Sequence, residues 1–150
     1  MSGILIRPAL RADRASLEAL QWRASLANSG DRDALLANPD AIALPIEQID
    51  DGHVFVAQDD DVIVGFAAVL TRPDGGAELD ALFVEPTLWK RGVGRLLVEH
   101  CADVARARAS RVMHVVGNPH AEGFYRACGF QTTGAVETRF GAGLAMQRAL

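Results

Sequence analysis

Lys90, Arg91 and Arg95 cluster around Gly92 and Gly94, where the apolar stretch Ala77–Val84 gives way to an amphipathic run. Those residue types at a strand-to-helix junction suit one task, holding an anion such as a phosphate. The first N–H groups of a helix have no intrahelical partner, and the helix dipole favours negative charge beside them. Glycine at positions 92 and 94 keeps side chains off that backbone. Three cations in one turn also run against a formal net charge of −4. A solvated basic loop would carry the same residues, so the turn alone names no ligand. Two nucleotide loops are disfavoured by position. No Gly-Lys-Ser or Gly-Lys-Thr occurs, as a G-x-x-x-x-G-K-[ST] loop requires. A dinucleotide fingerprint needs a third glycine where Leu97 stands and an acidic partner ~20 residues further on.

A strand, a tight turn and a helix must position these residues, and the chain's periodicity supplies each. Val93, Leu96, Leu97, His100, Cys101 and Val104 keep i, i+3, i+4, i+7 spacing, which predicts a helix from Arg91 to about Arg108. Ile4–Pro8, His53–Gln58, Val62–Leu70 and Ala77–Val84 read as strands, with Asp59-Asp60-Asp61 and Pro73-Asp74-Gly75-Gly76 as turns. A helix starts near Asp13, aligns Leu17, Leu20, Ala24 and Ala27 on one face, and breaks at Asn28-Ser29-Gly30. Short helical segments are expected at Asp33–Leu36 and Pro45–Ile49, on either side of the turn Asn38-Pro39-Asp40. Arg111–Val116 reads as a strand and Pro119–Cys128 as a helix capped by Asn118 and closed by Gly129. Gln131–Glu137 and Gly143–Leu150 form a closing strand pair. This order predicts an α+β fold with a mixed, mainly antiparallel sheet of about seven strands flanked by about four helices.

At 150 residues and 49% apolar, residues 1–150 read as one domain. No apolar run approaches the ~18 residues of a membrane span, so a soluble, cytoplasmic protein without a membrane partner is expected. Cys101 and Cys128 fall at apolar helical positions without metal-ligand spacing to His53, His100, His114 or His120. Buried free thiols and no metal site follow. A pI near 5.5 argues against nucleic-acid binding.

Asn118-Pro119-His120-Ala121-Glu122-Gly123-Phe124-Tyr125-Arg126-Ala127-Cys128-Gly129-Phe130 is similar to the N-x-x-A-x-x-F-Y-x-x-x-G-F segment of the GNAT superfamily of acyl-CoA-dependent N-acyltransferases. Trp89–Gly94 resembles that family's R/Q-x-x-G-x-G/A loop, with Trp89 standing where Arg or Gln is usual. The resemblance extends over nearly the whole chain and implies acetyl-CoA as cosubstrate. It places the backbone of Trp89, Lys90, Arg91, Gly92, Val93, Gly94 and Arg95 at the pyrophosphate. It also pairs Leu82, Phe83 and Val84 with the pantetheine amides, and implies that an N–H near Phe83 or Val84 polarises the thioester carbonyl. Asn118 and Phe124 then border the cosubstrate, and Tyr125 protonates the departing thiolate. Each keeps a local reading: Asn118 as a helix cap, Phe124 as core, and Tyr125 as a core ring whose hydroxyl bonds a backbone acceptor.

An attacking amine with a pKa around ~10.4 must lose a proton before it reacts. Glu78 and Asp80, two apart on one strand and hence on one face unless a bulge intervenes, are the candidate bases, Glu78 preferred. The implied activity is acetyl transfer to a primary amine of a small molecule or a peptide. The rivals are a non-catalytic acyl-CoA-binding module, which needs neither Tyr125 nor a base, and a nucleotide-binding protein. Exposed sheet edges leave a homodimer open.

Overall fold

The computed structural model describes residues 3–28, 32–138 and 141–150. In chain order they form β1 (Ile4–Pro8), α1 (Arg14–Ala27), α2 (Arg32–Ala37), α3 (Ile46–Asp50), β2 (Val54–Asp59), β3 (Val62–Thr71), β4 (Ala77–Val84), α4 (Val93–Ala107), β5 (Val112–Gly117), α5 (Glu122–Ala127), β6 (Gln131–Thr138) and β7 (Gly141–Ala149). The strands make one sheet in the order β1-β2-β3-β4-β5-β7-β6. Every neighbouring pair is antiparallel except β4 and β5, which run parallel. The expected α+β class and mixed sheet are present, with five α-helices among the described residues where about four were expected.

Two apolar layers cover the sheet. On one face, α4 lays Val93, Leu97, Val98, Cys101, Ala102 and Ala105 against Phe55, Ala57, Val64, Ala67, Val69, Met113 and Val115. On the other, Leu17 and Leu20 of α1 and Ile49 of α3 pack on Val54, Val56, Phe66 and Ala68. Both cysteines are buried and free, and burial pushes the Cys101 thiol up to about 12, so neither is a ready nucleophile. Among the described residues no group of three or more His, Cys, Asp and Glu side chains could hold a metal ion, and no helix is long and apolar enough to cross a membrane.

Several boundaries differ from the sequence expectation for physical reasons. The helix expected from Arg91 begins at Val93, because Lys90 and Gly92 take positive φ of 66° and 90° and cannot lie in a right-handed helix. Its buried stripe is rotated from the predicted one, so Leu96 is 47% exposed and Ala102 and Ala105 are buried instead. Ala27 at the end of α1 is exposed, although it shares the helical spacing of Leu17, Leu20 and Ala24. The break expected at Asn28-Ser29-Gly30 lies partly outside the described residues.

Helix α5 is only six residues long and depends on its ends. A 3-10 turn at Pro119–Ala121 precedes it, capped by Asn118, whose Oδ1 accepts the His120 N–H at 2.9 Å. At its other end the Gly129 N–H donates to the Arg126 carbonyl and the Phe130 N–H to the Tyr125 carbonyl, each at 3.0 Å. That is a Schellman closure, and it brings the Phe130 ring to 5.6 Å from the Tyr125 ring. Gly129 takes φ +94°, so Gly129→Ala should cost about 1–2 kcal/mol through the left-handed penalty, read by urea denaturation at unchanged m.

Candidate active site

The site begins where β4 leaves β5. The two strands pair only at Ala77 with Met113 and at Glu78 with His114, so the rest of β4 has one edge without a strand. A register slip then resets which residues use that edge. Opposite β3, Leu79 pairs with Val69 and Ala81 with Ala68, which leaves Asp80 as an extra bulged residue. Leu79 accordingly packs in the α4-side core and Ala81 in the α1-side core. Beyond the bulge, the Glu85 N–H donates to the Val64 carbonyl at 2.9 Å. Antiparallel pairs alternate, so Glu85 and Phe83 turn their main chain to β3, whereas Leu82 and Val84 turn theirs to the open edge. Phe83 therefore differs from its expected role: its ring stacks 5.5 Å from Phe66 in the α1-side core.

At the end of this edge the chain enters α4 without a side-chain cap and without an acidic residue in the first turn. The Leu96 N–H is bonded to the Gly92 carbonyl, so the helical N–H groups before it have no intrahelical acceptor. Lys90, Arg91 and Arg95 are exposed, and among the described residues none forms an ion pair. Glu85 is bound elsewhere, by a two-pronged contact from Arg23 at 2.7 and 3.1 Å. Trp89, the departure from the family pattern, donates its indole Nε1–H to the Val84 carbonyl at 2.8 Å.

The two glycines of the turn do different things. A Cβ on Gly92 would meet nothing within 4 Å, so its role is conformational, at φ +90°. A Cβ on Gly94 would come within 3.0 Å of Phe124 Cζ and 3.6 Å of a Val84 methyl, so that glycine also seats an aromatic ring. Gly117 at the end of β5 does the same for Tyr125, whose ring would lie 3.0 Å from an added Cβ. Phe124 and Tyr125 meet edge to face at 5.2 Å. Val84, Gly94, Phe124, Tyr125 and Gly117 thus form a continuous floor between the diverging strands. Sequence reasoning missed Gly117 and Arg23; a glycine immediately before the Asn118-Pro119 cap was the available signal for the first.

Tyr125 is buried in the α4-side core, yet among the described residues its hydroxyl makes no hydrogen bond. The backbone acceptor expected of a purely structural tyrosine is not there. Burial, with Cys128 beside it, pushes the phenol above its ordinary value, so the ring keeps its proton through the neutral range. Of the two carboxylates, Glu78 is held by Arg72 at 3.3 Å on the paired part of β4. Asp80 is exposed at the bulge, and Gln48 of α3 donates to it at 3.3 Å. Asn118 holds its turn, and His120 is an exposed surface residue.

If Gly94 seats Phe124, Gly94→Ala and Phe124→Ala should be coupled. The penalty of the first shrinks by at least about 0.5 kcal/mol in the presence of the second, measured as a double-mutant cycle by chemical denaturation.

Residues 16–130 match the model of the acetyltransferase (GNAT) family. Over 79 residues the chain is 39% identical to the peptidyl-lysine N-acetyltransferase YjaB of Salmonella typhimurium, covering 53% of this chain and 50% of that protein. Over 62 residues it is 42% identical to YjaB of Escherichia coli, covering 41% of each. The chain thus spans half or less of the curated relatives it matches. Among solved structures, a GCN5-related N-acetyltransferase from Rhodopseudomonas palustris superposes with a TM-score of 0.81 at 25% identity, over 100% of this chain and 98% of that one. The PaiA N-acetyltransferase of Thermoplasma acidophilum, in complex with coenzyme A, has the same fold at a TM-score of 0.79 and 17% identity, over 100% of each chain. The open β4 edge, the uncapped glycine turn and the Asn118–Phe130 segment are therefore found in a chain that belongs to the GNAT family of acetyltransferases.

Proposed function

We propose that the protein transfers an acetyl group from acetyl-CoA to a primary amine, with a peptide lysine as the favoured acceptor. One observation carries this reading. The free edge of β4 runs from three unpaired cations and an uncapped helix start toward a buried tyrosine whose hydroxyl has no partner among the described residues. Acetyl-CoA has the matching chemistry, with phosphates at one end, amides along its arm and a thioester at the other end. Coenzyme A in the PaiA structure and the peptidyl-lysine activity named for YjaB support the cosubstrate and the acceptor respectively.

In this reading the pyrophosphate sits on the N–H groups from Gly92 to Arg95, with Lys90, Arg91 and Arg95 around it. The pantetheine amides pair with Leu82 and Val84. The amine nitrogen gives a proton to Asp80, directly or through water, and attacks the thioester carbon. The C–N bond forms, the C–S bond breaks, and the Tyr125 hydroxyl protonates the leaving thiolate. The nitrogen, which began as an ammonium, then loses its second proton through water to the Tyr125 phenolate, and Asp80 releases the first to solvent, so the net products are the amide, the free thiol and one proton. Asp80 is favoured over Glu78 because Glu78 is engaged by a guanidinium, whereas Asp80 stands at the bulge where the strand edge opens.

Tyr125→Phe should lower turnover by at least ~10-fold with little change in acetyl-CoA affinity, read by thiol release and by calorimetry. Asp80→Asn should lower kcat by at least ~10-fold, and Glu78→Gln by less than ~3-fold. Equal losses at both positions would return the assignment to Glu78 and Asp80 jointly. Coenzyme A binding without thiol release across a panel of lysine peptides and small amines would identify a non-catalytic acyl-CoA-binding module instead.

A further inference from the structure

Val84 turns its carbonyl to the free edge of β4, and that acceptor is already taken. The indole of Trp89 folds back over the 3-10 turn Pro86–Leu88 and donates to it at 2.8 Å. The residue is 43% exposed, so the indole is partly open to solvent while its N–H is bonded. The Trp89 backbone is extended, at φ −62° and ψ 146°, and Lys90 follows in the left-handed region. The indole therefore lies between the basic turn and the strand edge, the place where a ligand must pass from its phosphates to its amides.

An acyl-CoA carries its first amide a few bonds beyond the pyrophosphate. With the pyrophosphate on the first turn of α4, the arm enters the edge at Val84. An amide N–H reaching that edge needs a carbonyl acceptor, and so does the indole N–H. A carbonyl can accept two bonds, but Trp89 approaches Val84 from the open side of the strand, where the arm would lie.

We infer that Trp89 is a positioning residue that occupies the Val84 carbonyl when the site is empty and yields it to a pantetheine N–H when acyl-CoA binds. The inference rests on acyl-CoA lying along this edge, as proposed above. The exchange swaps one N–H donor for another at a single oxygen and leaves every covalent bond in place. Its consequence is a built-in competitor: the protein loses one hydrogen bond for each one the arm gains at that point. Removing the indole N–H removes the competition without removing the acceptor.

Calorimetric titration of the wild type and Trp89→Phe with coenzyme A and with 3′-phosphoadenosine 5′-diphosphate tests this, because the second ligand keeps the phosphates and lacks the amides. Trp89→Phe should bind coenzyme A about 3- to 10-fold more tightly, the net worth of one neutral hydrogen bond, and bind the diphosphate as the wild type does. Unchanged or weaker coenzyme A binding overturns the inference, as does an equal change for both ligands, which would mark the indole as a brace for the loop. Failure of the wild type to bind coenzyme A overturns the placement of the cosubstrate instead. Trp22 and Trp89 are the chain's two tryptophans, so Trp22→Phe leaves Trp89 as the sole indole reporter. Its emission should shift to the red when coenzyme A is added, and emission that stays fixed while calorimetry shows binding also overturns the exchange.

Discussion

Backbone hydrogen bonding at the parting of β4 from β5 is the constraint on which the rest of the site depends. Buried main-chain groups must find partners, and a strand that loses its neighbour exposes a row of groups without them. The bulge at Asp80 decides which residues form that row. Without it, the alternation set at Ala77 and Leu79 would continue through Ala81 and Phe83 on one face. With it, Leu82 and Val84 come to the edge, and Ala81 and Phe83 pack on the α1 side. The N–H groups at the start of α4 are a second unsatisfied set, one turn further along the chain. The two sets are contiguous, so one extended ligand can satisfy both.

The aromatic side of the cleft is built by omission of side chains. Gly94 and Gly117 each leave room for a ring that a single methyl would displace. Because those rings come from adjacent residues of a six-residue helix, α5 must be held in place from its ends. Asn118 caps the 3-10 turn that leads into it and the Schellman closure at Gly129 fixes its exit, with Phe130 buried beside Tyr125. Local capping chemistry therefore reaches Tyr125 directly: the hydrogen bond that ends α5 is accepted by the carbonyl of Tyr125 itself.

What was legible in the sequence follows the same division between local and tertiary causes. The strands, the basic glycine turn and the Gly129 closure are written in residues close to one another and appear within two residues of expectation, whereas Asn118 caps a 3-10 turn at Pro119–Ala121 and the helix expected over Pro119–Cys128 is confined to Glu122–Ala127. Leu96 keeps the helical spacing yet faces solvent, because spacing fixes a stripe but not the angle at which the helix meets the sheet. The bulge that turns the main chain of Phe83 to β3, away from the edge that the family resemblance implies for it, has no signature in Leu79-Asp80-Ala81. The indole contact at Val84 depends on two successive positions of special backbone geometry, Trp89 extended and Lys90 left-handed, and no residue type announces it.

The charge of the turn is also a tertiary result. Glu85 precedes the basic cluster closely, and Glu99 lies four residues after Arg95, the spacing at which a helix would pair them. Either carboxylate would neutralise part of the site. Both are taken by arginines from distant segments: Arg23 of α1 grips Glu85, and Arg148 of β7 grips Glu99 at 2.8 and 3.2 Å. The Arg148 guanidinium holds the Glu99 carboxyl below its usual range, so Glu99 stays ionised and committed to Arg148 at neutral pH. Bidentate guanidinium contacts have better geometry than an exposed helical pair with Arg95 would have. The fold thus holds both carboxylates with arginines outside the turn, and among the described residues Lys90, Arg91 and Arg95 form no ion pair. In a chain of net charge −4, that sorting of partners maintains a local positive site.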